Sequence, residues 1–307
     1  MLRVVRVLAP NPSAYTLEGT NTWVVGGETT DLHDAGVPAP PAAPTIVIDP
    51  GPEDPAHLDE VARAAGAQVA AVLVTHDHPD HAPGAATFAE QVQAPLYAFR
   101  LAGAEHLRDG QIVSAGDLRV VAVHTPGHTS DHVVFHVPAK GALFAGDAVL
   151  GRGTSFIDPP DGDLGQYLRS LGRMQELAAR TIYPGHGPVV LDAAEKLREY
   201  VEHRAQREQQ VVDALSNGAR TIEEMVSEIY AAYPPELHEL AGRSVLAHLL
   251  KLSSEGRAAQ RGRGDDATWE ATAPRSCQRC GKPVGGRALY CGACSLILLQ
   301  EGSAESR

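Results

Sequence analysis

The segment Thr75-His76-Asp77-His78-Pro79-Asp80-His81 carries an imidazole or a carboxylate at five of its seven positions, directly after the apolar run 69–74. In an extended chain, residues i and i+2 point the same way, so His76 and His78 can grip one ion. Pro79 cannot extend a central strand, so the chain turns there and sends Asp80 and His81 toward a second point. Imidazole with carboxylate is a ligand set for zinc, and equally for manganese or iron. Asp77 faces away from His76 and His78 in an extended segment, which suits a structural hydrogen bond. So many polar groups beside a core strand are costly unless a cation holds them together.

Three later segments each place one further donor in a tight, glycine-bearing turn after a strand-like run. They are Thr125-Pro126-Gly127-His128-Thr129, Ala145-Gly146-Asp147 and Tyr183-Pro184-Gly185-His186-Gly187. Taken singly, such a His or Asp is an ordinary turn residue. Loops at strand ends held by a rigid sheet are also where binding groups concentrate, and with the first string they make a seven-residue ligand set. His132, four residues after His128, is expected to support a ligand rather than to be one. His124 and His136 fall within strand-like runs, and His33, His57, His106, His203, His238 and His248 read as scattered surface residues.

All four cysteines lie near the C-terminus, as Cys277-Gln278-Arg279-Cys280 and Cys291-Gly292-Ala293-Cys294. Two CxxC pairs separated by ten residues suit one closed, tetrahedral structural Zn²⁺. Two disulfides or a redox pair are the rival readings. The basic residues Arg275, Arg279, Lys282 and Arg287 around them fit either a contact surface or a solvated face.

The elements that must position these donors follow from periodicity. β-branched and apolar runs at 22–25, 45–48, 69–74, 95–99, 118–123, 133–137, 142–145 and 181–183 read as strands. Helical patterns cover 56–65, 85–92 and 166–179. The Pro/Ala-rich stretch 34–44 reads as a surface loop. Strands interspersed with helices give a sheet-rich sandwich covered by helices, occupying residues 1–191. A long amphipathic helix follows to about residue 216, with Asp192 as its N-cap. Helical patterns at 222–233 and 243–253 complete a small helical domain over 192–256. Residues 257–274 are Gly/Arg/Asp-rich and read as a linker, and 275–307 form the cysteine tail.

Bulk properties narrow the function. The chain has 307 residues, 43% hydrophobic and 21% charged, with a formal net charge of −12. No run is long and apolar enough to span a bilayer. The N-terminal residues are too few and too charged for a secretory signal core, and the cysteine-free body fits the cytoplasm. The acidic balance opposes broad adhesion to nucleic acid. The distribution is uneven, however: residues 251–307 carry about +3 and residues 1–250 about −15.

The ordered set His76, His78, Asp80, His81, His128, Asp147 and His186 resembles the metallo-β-lactamase superfamily over about residues 11–191. The resemblance implies the α+β fold of that family, an αββα sandwich with its site at one edge between two sheets. It implies His76, His78 and His128 on one metal, Asp80, His81 and His186 on a second, and Asp147 bridging both. Two divalent ions, zinc by resemblance, would acidify a shared water from about 15.7 to about 7, giving a bridging hydroxide as the nucleophile. Asp80 would orient or deprotonate that nucleophile.

Class B β-lactamases use a cysteine ligand that this body lacks, which leaves phosphodiester or thioester hydrolysis. Thr221-Ile222-Glu223-Glu224 and the apolar pattern after it resemble the winged-helix-like domain of the β-lactamase-like protein 2 group, which contains single-strand-specific endoribonucleases. Gly19-Thr20-Asn21-Thr22 resembles the same group and makes Asn21 a candidate substrate contact. Single-stranded RNA is therefore the first expected substrate and a small thioester, as in glyoxalase II, the second. A non-catalytic metal-containing binding protein is the third reading. The appended zinc ribbon departs from that group.

Overall fold

The computed structural model describes residues 2–27, 43–218, 220–264, 267–272, 275–276 and 283–284. They fall into two compact units, one built from 1–156 with 161–202, the other from 157–160 with 203–307. The expected loop at 34–44 and all four cysteines lie outside the described residues, save for Ala43 and Pro44. No helix among the described residues is long and apolar enough to cross a membrane.

The first unit is a two-sheet sandwich. One sheet takes β1 (Arg3–Leu8), β2 (Asn21–Gly26), β3 (Thr45–Ile48), β4 (Val69–Leu73), β5 (Leu96–Ala98) and β6 (Glu105–His106) in sequence order. Its first two pairings are antiparallel and the last three parallel. The parallel steps need crossovers, supplied by α1 (Pro55–Ala65) between β3 and β4, and α2 (Gly84–Val92) between β4 and β5. The second sheet takes β7 (Ile112–Ala115), β8 (Leu118–His124), β9 (Val133–Val137), β10 (Ala142–Gly146) and β11 (Thr181–Pro184) in spatial order β11-β10-β9-β8-β7. Helix α3 (Leu164–Glu176) leads from β10 into β11 and starts where the Asp163 carboxylate caps the Gln166 N–H.

Strand periodicity explains why the central strands are apolar on both faces. Trp23, Val25, Ile46, Ile48, Ala71 and Leu73 point inward, against Val120, Ala122, Val133, Phe135 and Phe144 of the facing sheet. Their alternates Val24, Val47 and Val72 pack outward under Leu58 and Val61 of α1 and Phe88 of α2. Every residue of β9 and β10 is buried, so that sheet is covered on both faces as well.

Each strand expected from periodicity forms, with its ends within one residue of the reading. Strands β1, β6 and β7 are additions. In β1, alternation is broken by Arg3 and Arg6, as suits an edge strand that pairs on one side only.

The second unit takes the C-terminal part of α4 (Ala193–Ser216), whose first turn is capped by the Asp192 carboxylate on the Glu195 N–H. It continues with α5 (Ile222–Ile229), opened by a complete capping box between Thr221 and Glu224, and α6 (His238–Ser254). The linker expected at 257–274 is not one. Residues Ala258–Arg261 (β12) and Thr268–Ala271 (β13) form an antiparallel hairpin. Trp269 of that hairpin, 2% exposed, packs with Val211, Met225, Val245 and Leu249 of the three helices. The glycines that suggested a linker instead let the hairpin turn: Gly262 and Gly264 both have positive φ. Three helices closed by a two-stranded hairpin make a winged helix.

Candidate metal centre

The β4 strand delivers Thr75–His81 to the sheet edge, where Pro79 turns the chain as expected: His81 and Ala82 donate their N–H groups back to the His78 carbonyl at 3.0 and 3.1 Å. Side chains from four loops meet there. His76, His78, His128 and Asp147 present donor atoms within 4.8 Å of one another, and Asp80, His81 and His186 do the same. Asp147 stands between the two sets. Its carboxylate lies 3.4 Å from His81 Nε2, 3.3 Å from His186 Nε2 and 3.8 Å from His128 Nε2. All seven residues singled out by spacing thus converge.

Hydrogen bonds on the far side of each ring decide which nitrogen faces the centre. His128 Nδ1 meets the Phe156 carbonyl at 2.7 Å and His186 Nδ1 the Gly19 carbonyl at 3.2 Å. A carbonyl only accepts, so both Nδ1 atoms carry a proton, and each Nε2 is the nitrogen that presents a lone pair inward when the ring is neutral. His81 Nδ1 donates to Asp49 Oδ2 at 2.9 Å. The Thr75 hydroxyl spends its hydrogen on Asp49 Oδ2, so it accepts from His76 Nδ1 at 2.9 Å. Four imidazoles therefore turn Nε2 atoms to the centre, with His81 and His186 Nε2 only 3.3 Å apart, each open to a cation once it gives up its proton. Asp147 Oδ1 has no hydrogen-bond donor although it is buried. Converging lone pairs around an unsatisfied carboxylate are the donor set of a pair of divalent cations, each His backed by an acceptor.

Charge balance points the same way. Burial works against a charged His81, yet the carboxylates of Asp147, Asp49 and Asp80 hold its pKa well above the usual imidazole range. Against the same burial, Asp147 and Asp80 push His186 up to about 9. Burial would raise Asp80, but His81 and His186 keep it well below the carboxylate range. Asp147 is depressed by the same two neighbours against its own burial. On the other side burial dominates: His76 and His128 are pushed down. The pocket thus demands positive charge near Asp80 and Asp147.

The glycines in these turns are there for space. A Cβ on Gly185 would lie 2.3 Å from Asp147 Oδ1 and 2.8 Å from His81 Cε1. Gly127, with φ +139°, sits so close to the start of α3 that a Cβ would lie 2.3 Å from the Tyr167 backbone.

His132 takes the supporting role expected of it. Its Nε2 accepts the Asp147 N–H at 3.2 Å, and its Nδ1 donates to Thr125 Oγ1 at 3.1 Å. Asp77 has an exposed side chain, and its backbone N–H is held by Asp131 Oδ2.

Asn21 is a correction. It is 0% exposed, and its side-chain amide donates to the carbonyls of Pro184 and Gly187 at 3.0 and 2.9 Å. It clamps the His186 turn instead of meeting substrate. Its neighbours extend that strut: Thr20 Oγ1 donates to Asp80 Oδ2 at 3.0 Å and Thr22 Oγ1 to the Asp49 carbonyl at 2.7 Å. Two histidines read as surface are also buried, His57 at 3% and His248 at 1% exposure. Asp49, Thr20 and Thr75 were not foreseen. The signal for Asp49 was its place in Asp49-Pro50-Gly51, immediately after a strand.

Two family models match the chain: Metallo-beta-lactamase superfamily over residues 15–186, and Beta-lactamase associated winged helix domain over residues 221–269. The chain is 33% identical over 281 residues to the atrochrysone carboxyl ACP thioesterase of Aspergillus chevalieri, spanning 87% of this chain and 86% of that one. It is also 33% identical over 278 residues to a Beta-lactamase-like protein 2 homolog of Drosophila melanogaster, spanning 83% and 89%. A solved beta-lactamase domain protein from Burkholderia ambifaria shares the fold, with a TM-score of 0.72 at 21% identity over 88% of this chain and 91% of that one. With its two-sheet sandwich, its seven converging His and Asp side chains and a winged-helix unit, the chain belongs to the metallo-beta-lactamase superfamily of hydrolases.

Proposed function

We propose that the chain hydrolyses an acyl thioester, with two divalent cations, zinc by family resemblance, held by the seven-residue cluster. His76, His78 and His128 would hold one, Asp80, His81 and His186 the other, and Asp147 both. When bound, such a pair supplies Lewis acidity and lowers the pKa of water from about 15.7 to about 7. The protein's own part is to fix the donors. Asp80, kept ionised and anchored by Thr20, accepts a hydrogen bond from the incoming water and orients it.

The observation that carries the thioester reading is that, with cations in place of protons on the inward Nε2 atoms, these carboxylates and four imidazoles among the described residues would have no proton to give a leaving group. Both carboxylates are held ionised, and the Nδ1 protons of His76, His81, His128 and His186 are committed to structural acceptors. A thiol has a pKa of about 8.5, so a thiolate leaves near neutral pH without a proton. An alkoxide leaving a phosphodiester is a far stronger base and would depend on the second cation to stabilise it. The thioesterase relative supports the same reading, and it spans the winged helix too, so that domain does not by itself imply RNA.

Phosphodiester hydrolysis of single-stranded RNA is the second reading, favoured by the likeness to Beta-lactamase-like protein 2 homologues and opposed by the net charge of −12. The test is parallel assay of the purified protein on acyl-coenzyme A, on S-D-lactoylglutathione and on labelled single-stranded RNA, each with and without chelator. Chelator-sensitive thiol release with intact RNA is the expected result. RNA cleavage without thiol release would replace the first reading with the second. Inactivity on all three, with metal retained through dialysis, would favour a binding protein.

For the tail, we infer one structural Zn²⁺ on Cys277, Cys280, Cys291 and Cys294. The four lie outside the described residues, and the support is their spacing. The antiparallel pairing of Arg275–Ser276 with Pro283–Val284 adds to it, because the residues joining those strands include the first CxxC pair.

A further inference from the structure

The loop between β1 and β2, wholly within the sandwich unit, closes on itself through the side chain of Asn11. Asn11 Oδ1 accepts the Thr20 N–H at 2.9 Å, and Asn11 Nδ2 donates to Thr20 Oγ1 at 3.0 Å. The Asn11 carbonyl accepts from the Thr16 hydroxyl, and Ser13 Oγ takes the N–H groups of Tyr15 and Thr16 at 3.1 and 3.0 Å. The closure leaves no room at Gly19, where a Cβ would lie 2.1 Å from the Ala9 carbonyl oxygen. Thr20 is 0% exposed, and its own carbonyl accepts the Ala9 N–H at 2.9 Å.

Counting hydrogens fixes the direction of each bond. A backbone N–H only donates, so the Asn11 amide atom facing it is the oxygen, and the nitrogen is the atom turned to the Thr20 hydroxyl. An amide nitrogen only donates, so Thr20 Oγ1 accepts there. The single hydrogen of that hydroxyl is left for Asp80 Oδ2, 3.0 Å away. The same carboxylate oxygen faces the cluster, 3.3 Å from His81 Nε2 and 3.1 Å from His186 Nε2. An acceptor in place of Asn11 Nδ2 would compete with Asp80 for the hydroxyl hydrogen.

We propose that Asn11 is a positioning residue for Asp80, acting through the hydroxyl of Thr20. Its amide nitrogen occupies the accepting side of that hydroxyl, and this commits the hydroxyl to donate to Asp80 Oδ2 and sets the carboxylate against His81 and His186. Asn11 touches neither substrate nor ion. The inference rests on the reading of Asp80 as a metal ligand.

The test uses the full chain, reconstituted with Zn²⁺ and with Co²⁺. Chelator competition reads the affinity of each ion, and the visible Co²⁺ spectrum reads its surroundings. His128→Ala and His186→Ala, each lacking one member of one triad, identify which constant belongs to which ion. Asn11→Asp keeps the shape and the acceptor for the Thr20 N–H but puts an acceptor where Nδ2 was. It is expected to weaken the ion at Asp80 about threefold to tenfold, to spare the other ion and to shift the Co²⁺ spectrum. The added negative charge by itself would tighten a nearby cation, so charge does not explain a loss. Asn11→Ala, which removes both bonds, is the second variant and is expected to weaken the same ion at least as much. Thr20→Val removes the hydroxyl at nearly constant shape and is expected to cost the same ion about 10–100-fold. On that background Asn11→Asp is expected to weaken it no further, because the hydroxyl it acts through is gone. Wild-type affinity for both ions in Asn11→Asp and Asn11→Ala would overturn the proposal. So would an equal loss of both ions, or a loss of the same size with and without the Thr20 hydroxyl. Failure of the wild-type chain to bind any ion is a different result, and it would overturn the metal reading beneath.

Discussion

Asp49 and His81 form a fully buried support of the centre: Asp49 Oδ2 accepts from His81 Nδ1 at 2.9 Å while the same carboxylate takes both the N–H and the hydroxyl of Thr75, at 2.7 and 2.8 Å. Asp49 is 1% exposed and has φ +50°, so the chain accepts a strained backbone to put a charge there. One carboxylate thereby orients the His81 ring and anchors the residue that orients His76.

Asp49→Asn keeps the shape and removes the charge. It is expected to lower metal affinity about 10–100-fold, chiefly for the ion at His81. Competition with a chromophoric chelator measures this. Unchanged affinity would mean that Asp49 serves the fold alone.

The protonation pattern predicts an unusual pH dependence once metal is stripped. His81 is raised and His186 is raised to about 9, so each favours the folded state below its unfolded pKa, about 6.5. That stability is lost as pH rises through the folded values. The depressed carboxylates Asp80 and Asp147 contribute above about pH 4 and add no slope here. His76 and His128 are lowered, so they change stability only below about 6.5. Thermal melts of chelated protein are therefore expected to fall between pH 7 and pH 9.5, with a flatter profile when metal is bound. A chelated melt that rises across this window would contradict the assignment.

Two glycine substitutions should part in sign. Gly185→Ala drives a Cβ to 2.3 Å from Asp147 Oδ1 and is expected to cost about 1–3 kcal/mol and to release metal. Gly172→Ala lies within α3 with nothing within 4 Å and is expected to stabilise by about 0.5–1 kcal/mol. Denaturant melts with metal analysis check both.

Trp269 tests the hairpin. Truncation of its fully packed indole, Trp269→Ala, is expected to destabilise the winged-helix unit by about 3–5 kcal/mol. Limited proteolysis should then cut within residues 203–272 far faster than in the wild type. Equal protease resistance would restore the linker reading.

What the sequence disclosed and what it hid divide along physical lines. The converging donors were legible because five polar groups in seven residues beside a core strand have few explanations, and because three further donors sat in glycine turns at strand ends. Their partners were not legible. Asp49 lies 32 residues from His81 and Gly19 lies 167 from His186, and no local pattern encodes such pairings. Asn21 was misread because a polar residue near a site looks the same whether it faces the cavity or clamps backbone. The hairpin 258–271 was hidden by composition: its arginines and glycines suggested solvent, whereas one tryptophan supplies the packing.

The central claim is that four loops bring seven side chains around two cations. Anomalous scattering from crystals grown with zinc or manganese tests it most directly. The account predicts two peaks, one against His76, His78 and His128, the other against Asp80, His81 and His186, with Asp147 between them. A single peak, or metal held elsewhere while these seven side chains stay bare, would contradict it.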